Sequence, residues 1–171
     1  MDTLIRKAGP GDAEQIADLS RKTFVETFAP FNTESDMEKF LHGPFTRANL
    51  IAEVLSPGSI FFLAEVGGKA AGYARLRLGR GKPEPGSDSI EIARLYADQS
   101  WLGKGIGHAL MKACLDEAIL LGKHTVWLGV WEHNTRAIRF YSNWGFEKFG
   151  ETDFILGDDV QRDWLMKKDL S

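Results

Sequence analysis

The chain has 171 residues, 43% of them hydrophobic and 26% charged, which is the size and balance of one globular domain with a sizeable core. Its net charge of −3 argues against a nucleic-acid partner, which selects a basic surface, and is compatible with a cationic amine. The single cysteine, Cys114, has no partner for an internal disulfide, so a reducing cytoplasm is the expected compartment.

In chain order, residues 3–8 read as a short strand. Gly9-Pro10-Gly11-Asp12 follows as a turn rather than an apolar run, so no signal peptide is predicted. Asp12 is expected to cap a helix reaching about residue 26, with Ile16, Leu19, Phe24 and Thr27 on its buried face. Thr33 opens a second helix with Met37, Phe40 and Leu41 as its apolar side. Thr46 caps a third, which carries Leu50, Ile51 and Leu55 and stops at Ser56-Pro57-Gly58.

Residues 59–66 and 70–78 are β-rich and flank Gly67-Gly68, a hairpin signal. Residues 79–88 lack periodicity and read as a loop, whereas 90–97 are apolar enough for a central strand covered on both faces. Residues 103–121 form a helix with Ile106, Leu110 and Cys114 on one face and His108, Lys112 and Asp116 on the other. There Cys114 reads as a small buried hydrophobe. A strand over 125–131, a helix over 134–143 and a β-pair over 145–154 and 160–169 complete the order. No apolar run is long enough to span a bilayer, and no linker or repeat divides the chain. The expectation is one domain over 1–171 of class α/β, a mixed sheet with helices on both faces and no membrane partner.

The chemistry-bearing segment is the passage from strand 89–97 through Leu102-Gly103-Lys104-Gly105-Ile106-Gly107 into the long helix. A strand, a glycine loop and a helix start together hold an anion, because glycine lets the backbone approach closely and the first helical N–H groups lack intrahelical partners. The plainer alternative is that the glycines only permit a sharp turn. A second string follows: Asn134, Ala137, Phe140-Tyr141 and Gly145-Phe146.

The two strings, in this order, resemble the GNAT superfamily of N-acetyltransferases, and the resemblance covers nearly the whole chain. Arg21-Lys22-Thr23-Phe24, Thr27-Phe28, Asn32, Ile92, Arg94-Leu95-Tyr96 and 127–132 are similar to the narrower PaiA-type polyamine acetyltransferases. One position departs from the superfamily pattern: Leu102 stands where Gln or Arg is usual.

The resemblance implies a mostly antiparallel sheet splayed between its fourth and fifth strands. It implies acetyl-CoA as cosubstrate, its diphosphate held by Gly103, Lys104, Gly105, Ile106 and Gly107. The pantetheine arm would lie along Leu95, Tyr96 and Ala97, with an N–H near Leu95 facing the thioester oxygen. Asn134 would cap its helix and bond the arm, and Tyr141 would be the general acid; the alternative for Tyr141 is a core ring packed beside Phe140. Acetyl would pass directly to a primary amine, by this resemblance a polyamine such as spermidine or spermine. A protein, peptide or other small-molecule amine is the rival acceptor, and a non-catalytic CoA-binding module is the rival class.

Glu91 is the sequence candidate for the base, placed by alternation on the face of Ala93 and Leu95; its alternative is an ion pair with Arg75 or Arg77. Residues 23–36 and 79–88 are the expected acceptor walls, with Glu26, Glu34, Asp36 and Glu38 set among Phe24, Phe28 and Phe31. The four histidines are scattered, and no metal site is indicated. A homodimer is left open.

Overall fold

The computed structural model describes residues 2–79 and 88–170. The elements run β1 (Thr3–Lys7), α1 (Ala13–Phe28), α2 (Glu34–His42), α3 (Arg47–Val54), β2 (Ser59–Val66), β3 (Lys69–Arg77) and β4 (Ser89–Ala97). They continue with α4 (Ile106–Leu120), β5 (Thr125–Trp131), α5 (Thr135–Asn143), β6 (Glu147–Leu156) and β7 (Asp159–Asp169). The strands form one sheet in the order β1-β2-β3-β4-β5-β7-β6. Among the described residues only β4 and β5 pair in parallel; the other neighbours are antiparallel. This is the mixed α/β architecture expected from the sequence.

Local chemistry sets most element starts. Thr33 and Thr46 cap α2 and α3, accepting from Asp36 N–H at 3.1 Å and Asn49 N–H at 3.2 Å. Asp12 does not cap α1. Its carboxylate instead accepts both terminal nitrogens of Arg6, at 2.9 and 2.8 Å, and Gly9 N–H at 2.8 Å, which ties β1 to the turn. A guanidinium one strand away outcompetes the helix terminus because it offers two charge-assisted bonds.

Each face of the sheet carries a helical layer. On one, Leu110, Met111 and Cys114 of α4 and Tyr141 of α5 pack onto Leu76, Ile90, Ile92 and Val126. On the other, α1 to α3 bring together Phe24, Phe28, Phe40 and Phe45, with ring centroids 4.5 to 5.2 Å apart. No helix among the described residues is long and apolar enough to cross a membrane.

One irregularity in β4 decides which of its side chains reach each layer. Arg75 lies opposite Arg94 but Leu76 lies opposite Ile92, so Ala93 is an extra residue bulged from the ladder. Before it, Ile90 and Ile92 face α4; beyond it, Leu95 and Ala97 do. Arg94 and Tyr96 turn the other way, Arg94 onto Glu53 of α3 and Tyr96 into the aromatic layer. Strict alternation would place Glu91 and Leu95 on one face. The bulge separates them.

Deleting Ala93 would join the Ile92–Leu76 and Arg94–Arg75 pairs in one regular ladder and leave Ile92 and Leu95 facing α4 and Arg94 facing Glu53, as they do now. The expected result is that the cooperative urea transition is retained, with stability changed by no more than about 2 kcal/mol.

Candidate active site

β4 and β5 pair over only three positions, Ser89 with Thr125, Ile90 with Val126 and Glu91 with Trp127. Beyond them the strands diverge, and a cleft of about 870 Å³ opens between the two helical layers. On its β4 wall, the Asp98 N–H donates to Ala71 C=O at 2.8 Å. With the β3–β4 register, that bond makes Tyr96/Tyr73 and Arg94/Arg75 the hydrogen-bonded pairs. The N–H and C=O groups of Leu95 and Ala97 therefore point the opposite way, into the cleft. The Tyr96 backbone is committed to β3, and it is the Tyr96 side chain that lines the cleft.

The glycine loop forms one end of the cleft. Gly103 and Gly105 sit at φ of +76° and +85°, the left-handed region that a Cβ disfavours, so the chain winds tightly before α4 begins. That is why the helix starts at Ile106 rather than Gly103. Its first N–H groups, Ile106, Gly107 and His108, precede the first intrahelical bond, Ala109 N–H to Gly105 C=O at 3.0 Å. Lys104 is placed differently from its neighbours. Its N–H donates to Trp101 C=O at 3.3 Å and its ammonium lies 5.4 Å from the Trp101 ring centroid, so it does not line the cleft. Gly107 serves packing: a Cβ there would meet the Phe140 ring at 3.4 Å.

α5 closes the same end. Asn134 caps it, accepting Ala137 N–H at 3.2 Å, while its amide nitrogen remains available for a further bond. Tyr141 is only 8% exposed, edge-on to Phe140 and Phe146, yet it lines the cleft. Burial foremost, with Cys114 nearby, holds its phenol well above the usual value, so it stays protonated across neutral pH. Burial likewise pushes the neighbouring Cys114 thiol up to about 12, which measures how strongly this layer disfavours a thiolate.

The other end is aromatic. Phe24, Phe28, Phe31, Phe40, Phe45, Trp131 and Phe154 line it, with Glu26 and Asp163 as its carboxylates among the described residues. Asp163, on β7 opposite Trp131, is pushed up to about 6 by burial, with Glu132 adding repulsion.

The model of the Acetyltransferase (GNAT) family matches residues 14–146. The chain belongs to the GNAT family. It is thereby an acyltransferase enzyme. It is 38% identical to an uncharacterised N-acetyltransferase of Lactobacillus delbrueckii subsp. lactis, over 93% of this chain and 92% of that one. It is 37% identical to the spermine/spermidine N(1)-acetyltransferase of Bacillus subtilis over 66 residues, 38% of this chain and 43% of that one. Its fold matches the crystal structure of PaiA N-acetyltransferase from Thermoplasma acidophilum in complex with coenzyme A, at a TM-score of 0.80 and 22% identity over 99% of each chain. The splayed, mostly antiparallel sheet is the GNAT fold.

Within this GNAT cleft the sequence candidates separate. Gly103, Gly105, Ile106, Gly107, Leu95, Tyr96, Ala97, Asn134 and Tyr141 converge on it. Glu91 does not. Its carboxylate accepts from Arg77 Nε–H at 2.6 Å and is buried at the last position of β4 paired with β5, so the ion-pair alternative is the arrangement present. Of the expected acceptor acids, Glu34, Asp36 and Glu38 lie outside the cleft; Asp36 accepts Asp158 N–H at 2.9 Å. Phe24, Glu26, Thr27, Phe28 and Phe31 do form a wall, whereas residues 80–87 of the other expected wall lie outside the described residues.

Sequence reasoning passed over Asp163, His108 and His133, all of which line the cleft. The available signal for Asp163 was a carboxylate two residues from Leu165 on an otherwise packed strand face. His108 gave no signal beyond a polar helix position, because its ring lies against Trp144 at 4.7 Å only in the folded chain.

The two carboxylates have opposite expected effects on stability. Asp163 binds its proton more readily folded than unfolded, so its contribution is intact below about pH 4 and is lost as pH rises through about 6. Asp163→Asn should therefore be more stable than the parent at pH ~8, by on the order of 2 kcal/mol, with the advantage gone at pH ~4. Glu91→Gln should lose roughly 1–3 kcal/mol at pH ~8, because it leaves Arg77 without its counter-charge. Urea titrations at both pH values check the pair.

Proposed function

We propose that the protein is an acetyl-CoA-dependent N-acetyltransferase that passes acetyl directly to a primary amine, with a polyamine such as spermidine or spermine as acceptor. The observation that carries this reading is that an anion cradle, an open strand edge and a buried phenol meet in one cleft. The N–H groups of Gly103, Gly105, Ile106 and Gly107 suit a diphosphate, which gains further from the positive end of α4. The open groups of Leu95 and Ala97 suit an extended pantetheine arm, and Asn134 adds an amide donor beside it.

Acetyl-CoA supplies an acetyl group already activated as a thioester. Leu95 N–H is then the donor for the carbonyl oxygen, a role worth about 3 kcal/mol when the donor is preorganised. Tyr141 supplies the proton that the leaving sulfur needs. Burial keeps the Tyr141 phenol protonated across neutral pH, so it is available as a proton donor when the sulfur departs.

For the acceptor, Phe28, Phe31 and Trp131 offer apolar and π surface to a methylene chain, while Glu26 and Asp163 offer negative charge to its ammonium groups. The spermine/spermidine enzyme of Bacillus subtilis supports this choice, over the part of the chain it matches.

Release of free thiol from acetyl-CoA with spermidine or spermine is the expected result. Release only with peptide amines would replace the acceptor, and coenzyme A binding without release for any amine would favour a binding module. Tyr141→Phe should lower kcat by about 10²-fold or more with coenzyme A affinity changed less than about twofold. An unchanged kcat would remove Tyr141 as the acid. Gly105→Val should weaken coenzyme A binding by about tenfold or more, measured by calorimetry, because φ of +85° excludes a β-branched residue.

A further inference from the structure

Acetyl transfer to an amine requires a group that takes a proton from the acceptor ammonium, and Glu91 lies away from the cleft. Of the two carboxylates that line it among the described residues, Glu26 is engaged. It accepts Gln99 N–H at 3.1 Å and lies 3.5 Å from the Lys22 ammonium. Asp163 has no cation paired to it among the described residues. Its carboxylate lies over Gly129, its diagonal neighbour on β5: a Cβ there would be in ordinary contact with Asp163 Oδ2, at 3.5 Å. The carboxylate thus leans across β5 toward the place where β4 has separated.

Among the described residues, Arg94 and His133 share the cleft with Asp163: Arg94 is paired to Glu53, and the His133 ring stands edge-on to Trp131 at 5.3 Å. Tyr96 faces Asp163 from β4, and its phenol also lies within electrostatic reach of Tyr141, which joins the two ends of the cleft. Glu132 follows β5 and repels Asp163, and near it stands Arg162, held by Glu151 at 3.0 Å. Around the carboxylate, Trp131, Phe28 and Phe31 form an apolar wall, with ring centroids 5.3 to 5.8 Å from Trp131. A desolvated, unpaired carboxylate ringed by aromatic faces is a seat for an ammonium group.

We propose that Asp163 seats the acceptor ammonium and is the general base of the transfer. The proposal rests on the acetyltransferase reading and adds its proton acceptor. R–NH3+ gives one proton to Asp163, which becomes a carboxylic acid. The freed nitrogen lone pair forms the N–C bond to the acetyl carbon, and the C–S bond breaks with its electron pair passing to sulfur. The second proton leaves nitrogen as the amide forms, sulfur takes a proton through Tyr141, and Asp163 releases its own to solvent. The products are amide, thiol and one proton. A carboxyl held near 6 is ionised at neutral pH yet more basic than an ordinary aspartate, as the role requires.

The test compares the parent, Asp163→Asn and Asp163→Glu in thiol release from acetyl-CoA between about pH 5 and 9, with spermidine and with phenethylamine as probe amines. Coenzyme A affinity and the NMR titration of the 13C-labelled Asp163 carboxyl are measured alongside. In the parent, kcat/KM should fall below about pH 6, and Asp163→Asn should lose about 10²-fold in kcat together with that limb. Its coenzyme A affinity should be unchanged, and Asp163→Glu should recover part of the rate. A bound ammonium should lower the carboxyl titration by about one pH unit. Parent-like kcat and pH profile in Asp163→Asn would overturn the base, and a carboxyl titration that neither amine moves would overturn the seat. A parent that releases no thiol with either probe or any other amine would instead overturn the transfer reading, and the base with it.

Discussion

β4 and β5 share three residue pairs and then separate, and the site depends on that separation. Had the parallel ladder continued, the N–H and C=O groups of Leu95 and Ala97 would be spent on β5, and the cleft would be closed by backbone. Unpaired backbone groups inside a sheet carry a cost, so a strand edge left open between two packed layers is an arrangement that a ligand's own hydrogen bonds can complete. The bulge at Ala93 sets what each side of the opening displays. It turns Leu95 and Ala97 toward α4 and Tyr96 toward the aromatic layer, so the strand presents different chemistry to the cleft's two ends.

The two ends are electrostatically distinct. At the α4 end are helix-terminal and loop N–H groups together with Arg136 of α5, all suited to negative charge. At the α1 end are aromatic faces and a carboxylate without a paired cation. Burial acts on both ends in the same sense, raising the Tyr141 phenol and the Asp163 carboxyl alike. The consequence differs with the group: the phenol remains a proton donor throughout the neutral range, whereas the carboxyl becomes a better proton acceptor while still ionised. One physical cause thus leaves one group protonated and the other ionised at neutral pH, on the two sides of a gap in a sheet. The ionised Asp163 destabilises the fold above pH ~6, a cost of the kind that functional sites carry.

Much of this was legible in the sequence because it is written in local rules. The threonine caps of α2 and α3, the Gly67-Gly68 hairpin and the alternation of the flanking strands require only near neighbours. The cradle was legible too, since a strand, spaced glycines and a helix start are contiguous. The Lys104 turn bond to Trp101 was not legible, because it depends on a short helical turn that the residue type of Lys104 does not reveal. Asp12 was misjudged because Arg6, not the helix it precedes, offers the stronger bonds.

The amino-acid sequence by itself determined the element order, the glycine cradle and Asn134 as a cap, because these follow from periodicity, backbone freedom and short spacing, whereas Tyr141 was a candidate through the family resemblance alone. Only the tertiary structure decided which carboxylate reaches the cleft. Glu91 and Asp163 stand 72 residues apart. One is neutralised by Arg77 across a strand pair, and the other lies over Gly129 of β5 with no cation paired to it among the described residues. A single inserted residue, Ala93, reverses strand alternation, and no window of neighbouring residues signals its pairing register. The fate of a charge depends on what strand pairing brings beside it, and that is settled only when the sheet is assembled.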